Sequence, residues 1–118
     1  MAIRKLNLSG HDNKNLADQG FTTFKLQVDL SDPNLQDKTL SFLVNTVGLS
    51  SDDTVMLAAP GLAPLAILLV AQIHGLTGSF PTVVPLVRGS DGFTPGTALD
   101  LQNIRMNARM DRSDLTVL

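Results

Sequence analysis

The segment from Leu57 to Pro81 constrains the fold of this chain more than any other part of the sequence. An apolar strand end runs into Pro60-Gly61, and a helix with almost no polar face follows until a His-Gly pair closes it. A helix that is apolar all round needs a sheet on one side and a further cover on the other. A second copy of the chain is the simplest cover, so the sequence predicts a homodimer. The turn before the helix leaves backbone N–H groups free, which suits an anion.

Length and composition narrow the class of protein. A chain of 118 residues predicts one domain spanning residues 1–118, and 43% hydrophobic residues indicate a globular protein. The absence of cysteine excludes a disulfide scaffold and a Cys-based zinc site, and it favours a reducing, cytoplasmic setting. The N-terminus lacks the long apolar core of a signal peptide. We therefore expect no export.

The apolar run and the net charge exclude two kinds of partner. The run is shorter than the about 20 residues that a membrane span requires, and prolines and glycine interrupt it. We therefore expect no membrane partner. A net charge of −2 argues against a protein that coats long nucleic acid, but it leaves open a small nucleotide held by local donors.

Hydrophobic periodicity predicts the order strand, strand, helix, strand, helix, strand, helix. The predicted strands are residues 2–8, 22–30, 54–59 and 82–88, with a short fifth strand at 97–100. The predicted helices cover residues 36–47, the apolar segment up to His74 and residues 101–112, with one further helical turn before Gly20. Gly48 is a predicted helix C-cap, and Pro85 indicates a sheet edge or a bulge. We expect a flexible turn over residues 89–96 and a loose tail over residues 113–118.

This order predicts a compact three-layer α/β domain with a mainly parallel sheet of four or five strands. Right-handed crossovers would place the first strand beside the third. Ligands of open α/β sheets bind beyond the carboxyl ends of the strands, where the winding reverses. This rule selects two loops, Ser9–Asn13 and Ala59–Leu62.

Each candidate residue near these loops has a functional and a structural interpretation. Gly61 after Pro60 would let a phosphate or ribose approach the backbone, or it would only make a tight turn. His11 would bind adenine or phosphate or exchange protons, or it would be an exposed loop histidine. Arg88 ends a strand near the same edge and is a candidate for holding an anion.

Two further groups of residues lie outside these loops. His74 near the end of the apolar helix is best interpreted as structural, since it would interact with the last helical carbonyls. Arg105, Arg109 and Arg112 share one face of the last helix, where they would clamp phosphates, pair with a neighbouring subunit or form a solvated face.

Signatures of demanding catalysis are absent from the sequence. It has no Walker loop, no GxSxG elbow and no HExxH helix, and it contains only two histidines and no tyrosine. No metal-ligand spacing is present, so we expect neither a metal nor a cofactor. The scarcity of catalytic side chains narrowly favours a binding protein over an enzyme.

Five segments, in order along most of the chain, carry a family resemblance. They are LNLSGH at 6–11, VGLS at 47–50, APGLAPLA at 59–66, HG…G.FP at 74–81 and LQNIR..AR at 101–109. The chain resembles the small accessory proteins of type III CRISPR systems that are grouped with candidate ring nucleases. The wider group resembles CRISPR-associated Rossmann-like (CARF-like) sensor domains, which are homodimers that bind cyclic oligoadenylate across their two-fold axis.

The resemblance implies specific ligand contacts. They would come from Ser9, Gly10 and His11 and from Pro60 and Gly61, with Phe80 as a further candidate. The sequence departs from the family at Leu76, where a basic residue is expected, and this puts a phosphate contact there in doubt.

Three functions follow as hypotheses. The first is capture of cyclic oligoadenylate, with the tetramer favoured, in dimers or in filaments bridged by the ligand. The second is a metal-independent ring nuclease that leaves a 2′,3′-cyclic phosphate, with His11 handling protons. The third is an adaptor subunit that docks through its apolar helix.

Overall fold

The structure alternates strands and helices along most of the chain. The computed structural model describes the backbone of residues 2–90 and 92–117 and the side chains of residues 2–90 and 92–112. In chain order the elements are β1 (Ala2–Asn7), α1 (Lys14–Asp18), β2 (Thr22–Thr23), α2 (Leu35–Ser41) continued by a π-helical segment (Phe42–Val47), β3 (Asp53–Ala58), α3 (Ala63–Thr77), β4 (Thr82–Val84), β5 (Leu86–Gly89), β6 (Gly92–Pro95), β7 (Leu99–Asp100) and α4 (Leu101–Val117).

The main sheet has five strands in the order β2-β1-β3-β4-β7. All pairs are parallel except β4 with β7. The first strand lies beside β3, as predicted, with Ala2 opposite Asp53 and Asn7 opposite Ala58. The predicted α/β fold with a mainly parallel sheet is therefore confirmed.

The core divides into two clusters, because β3 is apolar on both faces. Its buried Leu57 belongs to a cluster with Leu43 of the π-helical segment and Leu69 of α3. Its buried Ala58 belongs to a second cluster with Leu16 of α1. Successive strand residues point to opposite faces, so α1 covers one face of the sheet and α2 and α3 cover the other. The winding reverses between β1 and β3.

The second predicted strand, 22–30, is wrong for most of its length. Thr22 and Thr23 pair with β1, and the Phe24 amide donates the last bond to the carbonyl of Asn7 at 3.0 Å. Beyond this point β1 has ended, so the segment has no ladder partner. The alternation in the sequence still describes burial, because Phe24, Leu26 and Val28 pack against the larger core cluster.

The predicted strand at 82–88 is two strands in two sheets. Pro85 carries no N–H and separates β4 from β5. The chain then forms an antiparallel hairpin, in which Arg88 lies opposite Phe93 and Gly89 opposite Gly92. Thus the predicted flexible turn at 89–96 is mostly strand β6 in the described residues, while Asp91 lies outside them.

The ends of the later helices also differ from the prediction. Helix α3 continues past His74 and Gly75 to Thr77, and Gly78 caps it with a φ of +82° and an N–H···O bond of 2.8 Å to the carbonyl of His74. Helix α4 continues through the predicted loose tail to Val117, and Leu118 lies outside the described residues. The predicted cap at Gly48, with a φ of +74°, is confirmed.

The outer face of α3 has no cover within the described chain. Leu65, Leu69, Ile73 and Thr77 form its buried stripe, whereas the side chain of Ile67 is 70% exposed and that of Leu62 is 55% exposed. None of the helices in residues 2–90 and 92–117 has the length and apolar character to cross a bilayer.

Candidate ligand-binding crevice

The two loops selected from the sequence meet at the carboxyl edge of the sheet. Two adjoining cavities, of about 250 and 430 Å³, share four lining residues, which are Ser9, His11, Pro60 and Gly61. Ala59, Val83, Pro85, Leu86 and Phe93 complete the smaller cavity. The larger cavity adds Leu8, Gly10, Leu26, Gln27, Val28, Leu62 and Leu65. We refer to the two cavities together as the crevice.

Asn7, the last residue of β1, fixes the first loop. Its side chain is fully buried, and its Nδ2 donates to the carbonyl of His11 at 2.8 Å and to Oγ1 of Thr23 at 3.1 Å. Its Oδ1 accepts from the backbone amide of Ser9 at 3.1 Å and from the Ser9 hydroxyl at 2.6 Å. Gly10 turns the chain with a φ of +86°. The Ser9 hydroxyl is thus engaged within the loop, whose shape depends on Asn7.

The second loop brings the start of α3 to the crevice. Leu62 is the N-cap and makes no side-chain capping bond, and Pro64 lies in the first turn. The amides of Ala63 and Leu65 precede the first intrahelical donor, which is the amide of Ala66, and therefore have no acceptor within the helix. A Cβ at Gly61 would meet no atom within 4 Å, so this wall of the crevice is open. The geometry suits a negatively charged group at the positive end of the helix.

The β5–β6 hairpin forms the third wall, which sequence reasoning missed. The rings of Phe93 and His11 stack with centroids 5.7 Å apart and planes 12° apart. Nδ2 of Asn13 donates to the carbonyl of Phe93 at 2.9 Å, while Oδ1 of Asn13 caps α1 by accepting from the amide of Leu16. An Asp-Gly pair at 91–92 is a hairpin signal that was available in the sequence.

Arg88 lies on this hairpin, directly across from Phe93. Residues opposite each other in an antiparallel pair have side chains on the same face. The exposed Arg88 therefore shares the face of the hairpin that carries the crevice-lining Phe93.

Arg88 is not among the lining residues of either cavity, and three further predicted site residues do not line the crevice. Helix α3 spans about 22 Å and carries the chain to the opposite edge of the sheet, so Phe80 lies there, with its ring 4.2 Å from that of His74. Asp100 pairs with Thr82 at this same opposite edge, where α4 begins. Arg105 and Arg109 line a separate concavity on α4 together with Ala108 and Arg112. Their ligand contacts stay predictions.

Leu76 stands where the resemblance implies a basic residue. Its side chain is partly buried and packs against the larger core cluster. An apolar residue at this position extends the core under the last turn of α3 and offers no charge to a phosphate.

The crevice has little catalytic equipment. His11 is the one titratable side chain among the described residues that line the two cavities. Among the described residues, no three His or Asp side chains come together as metal ligands. A concave, mostly apolar site with a helix start and a ring pair is suited to holding a flat, anionic molecule.

The structure is an α/β domain with a candidate ligand site at the point where the winding of its sheet reverses. Comparison with known proteins found no matching family model, no matching curated protein and no matching solved structure. The family resemblance therefore stays a prediction.

Proposed function

We propose that this protein is a Rossmann-like, CARF-like domain that captures cyclic oligoadenylate in the cytoplasm and so lowers the free messenger of type III CRISPR signalling. The favoured ligand is the cyclic tetramer. One observation carries the proposal: the loops at 9–13 and 59–62, selected by topology and by the family resemblance, form the walls of one crevice.

The chemistry of the crevice supports a nucleotide ligand. The start of α3 offers backbone amides to a phosphate, and Gly61 leaves room for its approach. The His11 and Phe93 rings offer a stacking surface to a base. These local features are sufficient to bind a short nucleotide. A protein that binds long nucleic acids requires in addition a general positive charge.

The uncovered face of α3 supports a dimer. A groove of about 360 Å³ beside α3 is lined by apolar residues alone, namely Ala59, Ala66, Ile67, Val70, Ala71, Phe80, Val83 and Leu101. A two-fold dimer presents identical crevices, and these match a ring that itself has two-fold symmetry. A ring held by its second face against another dimer would extend the assembly into a filament.

The scarcity of titratable groups favours capture over cleavage. General acid–base catalysis of phosphodiester cleavage uses a base for the attacking hydroxyl and an acid for the leaving oxygen. The described lining residues supply His11 alone for either task. A slow ring nuclease, in which the 2′-OH attacks its own phosphate, is the second candidate because His11 lies on the crevice wall.

The proposal is tested by mixing the protein with labelled cyclic tetra-adenylate in excess and following retention and products over time. Capture predicts retention that saturates at a fixed ratio of ring to protomer, with the ring intact. Several rings cleaved per protomer would establish the nuclease instead. No retention of any cyclic adenylate would contradict both and favour an adaptor that docks through α3.

The variant His11→Ala refines this test. Capture predicts weaker retention with no change in products, because the side chain contributes a ring face. Cleavage by the unmodified protein that His11→Ala abolishes without loss of binding would assign proton transfer to this residue.

A further inference from the structure

We infer that Phe93 on the β5–β6 hairpin is a base-stacking residue, and that Arg88 opposite it binds the phosphate of the same nucleotide. This inference rests on the proposed function and adds a third wall to its site. It assigns a direct role in recognition of an adenine nucleotide to the hairpin, whose second strand lies where the sequence predicted a flexible turn.

The register of the hairpin determines which of its residues face the crevice. Leu86 lies opposite Pro95, Val87 opposite Thr94 and Arg88 opposite Phe93. Because side chains alternate along a strand, Leu86 and Arg88 share one face with Phe93. Leu86 and Phe93 both line the smaller cavity, so this face is the one that meets the ligand.

Two contacts hold the hairpin against the crevice, and a third closes the hairpin at its base. The carbonyl of Phe93 accepts from Nδ2 of Asn13 at 2.9 Å, and its ring stacks on that of His11. At the base of the hairpin, the Gly96 amide donates to the carbonyl of Pro85 at 2.7 Å. Phe93 nevertheless remains 42% exposed, so its ring is accessible to a ligand. A packed ring with an open side is a preorganised surface for a flat base.

The Arg88–Phe93 pair matches the composition of one nucleotide. Every base has a π face that stacks on an aromatic ring, and each base is joined through its ribose to a phosphate. A guanidinium beside the ring supplies the charge for that phosphate. Arg88 is exposed and faces Phe93 in the hairpin register.

Two rings and two substitutions test this assignment. The first ring is cyclic tetra-adenylate, and the second is the corresponding cyclic ribose-phosphate that lacks all four bases. We expect Phe93→Ala to weaken binding of the adenine ring by about 5- to 150-fold and to leave binding of the base-free ring unchanged. We expect Arg88→Ala to weaken binding of both rings, since it removes a phosphate contact.

The control is Val87→Ala, which alters the opposite face of the same hairpin, where Val87 is 52% exposed. It should bind both rings as the unmodified protein does. Phe93→Trp keeps a π face and should retain binding of the adenine ring to within about threefold. Phe93→Leu keeps the apolar bulk without the π face, so it should lose binding of the adenine ring. This variant separates stacking from packing if Phe93→Ala fails to fold.

Each outcome has a distinct meaning. If the unmodified protein binds no cyclic adenylate, the proposed function fails and this inference with it. If it binds and Phe93→Leu binds equally well, the stacking role is overturned and the proposed function stands. If Phe93→Leu weakens both rings to the same extent, Phe93 acts only by positioning the hairpin, which also overturns the assignment.

Discussion

Asn7 shows how much of the crevice depends on a single side chain. It is fully buried at the end of β1, and it makes four hydrogen bonds that join Ser9, His11 and Thr23. A buried amide is stable only when its donors and acceptors are paired, and here the loop provides three of the four partners, two of them backbone groups. Asn7 therefore positions the loop, and under the proposed function it would affect ligand binding only through that loop.

We predict that Asn7→Ala lowers the free energy of unfolding by about 1–3 kcal/mol and weakens retention of cyclic tetra-adenylate. The reason is that the amide of Ser9 and the carbonyl of His11 lose their buried partner. Urea unfolding and the retention assay measure the two effects. Asn45→Ala is the matched control, since Asn45 is exposed and its side-chain Nδ2 donates to the hydroxyl of the exposed Ser41. Equal stability of the two variants would contradict this role for Asn7.

Two aspartates before α2 give a prediction on pH. Hydrogen bonds from the Ser31 hydroxyl and amide lower the pKa of Asp29, and the bond from Lys38, followed by that from the Asn34 amide, lowers the pKa of Asp32. The folded pKa of each aspartate lies below the unfolded value of about 3.9. The two carboxylates therefore stabilise the fold when the pH is above the unfolded pKa, and this stability is lost as the pH falls through the folded pKa.

Carboxyl NMR titration measures both values in the folded chain and in the urea-unfolded chain. We expect Ser31→Ala to raise the pKa of Asp29 while leaving that of Asp32 low. If the pKa of Asp29 is unchanged after this substitution, the hydrogen bonds from Ser31 are not the cause of its low value.

At the scale of elements, the sequence predicts local patterns well and ladder partners poorly. Of the alternating apolar residues in segment 22–30, Phe24, Leu26 and Val28 pack against the core, whereas Leu30 is 42% exposed. The pattern cannot show that β1 ends at Asn7 and leaves this segment without a partner. Pro85 predicts a sheet edge or a bulge within one strand, but it does not predict that residues 86–89 pair with 92–95 in a separate sheet.

Two glycines give opposite predictions for the same substitution. Gly48 ends the π-helical segment with a φ of +74°, so Gly48→Ala should destabilise the fold by about 1 kcal/mol.

Gly75 lies inside α3 at an exposed position where a Cβ would meet nothing within 4 Å, so Gly75→Ala should stabilise the fold by about 0.5–1 kcal/mol. Thermal unfolding measures both effects. A loss of stability in Gly75→Ala would contradict the continuous helix through residues 74–77.

At the scale of the whole molecule, the site was predictable where it depends on topology. The rule of the switch point needs only the strand order, and it correctly brought together residues 9–13 and 59–62. Phe80 was selected from a sequence motif, which carries no information on position, and α3 takes it to the other edge of the sheet. Phe93 was missed because its contact with His11 joins residues far apart in sequence.

The whole-molecule account requires a partner for the apolar groove beside α3. Ile67 in this groove is 70% exposed, so Ile67→Asp should leave the monomer folded and prevent its association. Sedimentation velocity measures the change, with Leu30→Asp as a control, since Leu30 is 42% exposed and lies outside the groove. A dimer that persists in Ile67→Asp would place the interface elsewhere, for example on α4, where Met110 is 65% exposed.

Sedimentation velocity of the unmodified protein with labelled cyclic tetra-adenylate, followed by chemical analysis of the recovered ligand, tests the central claim most directly. We expect the label to sediment with a particle of two protomers or a multiple of two, and the recovered ring to be intact. A single protomer that leaves the label at the meniscus would contradict the account.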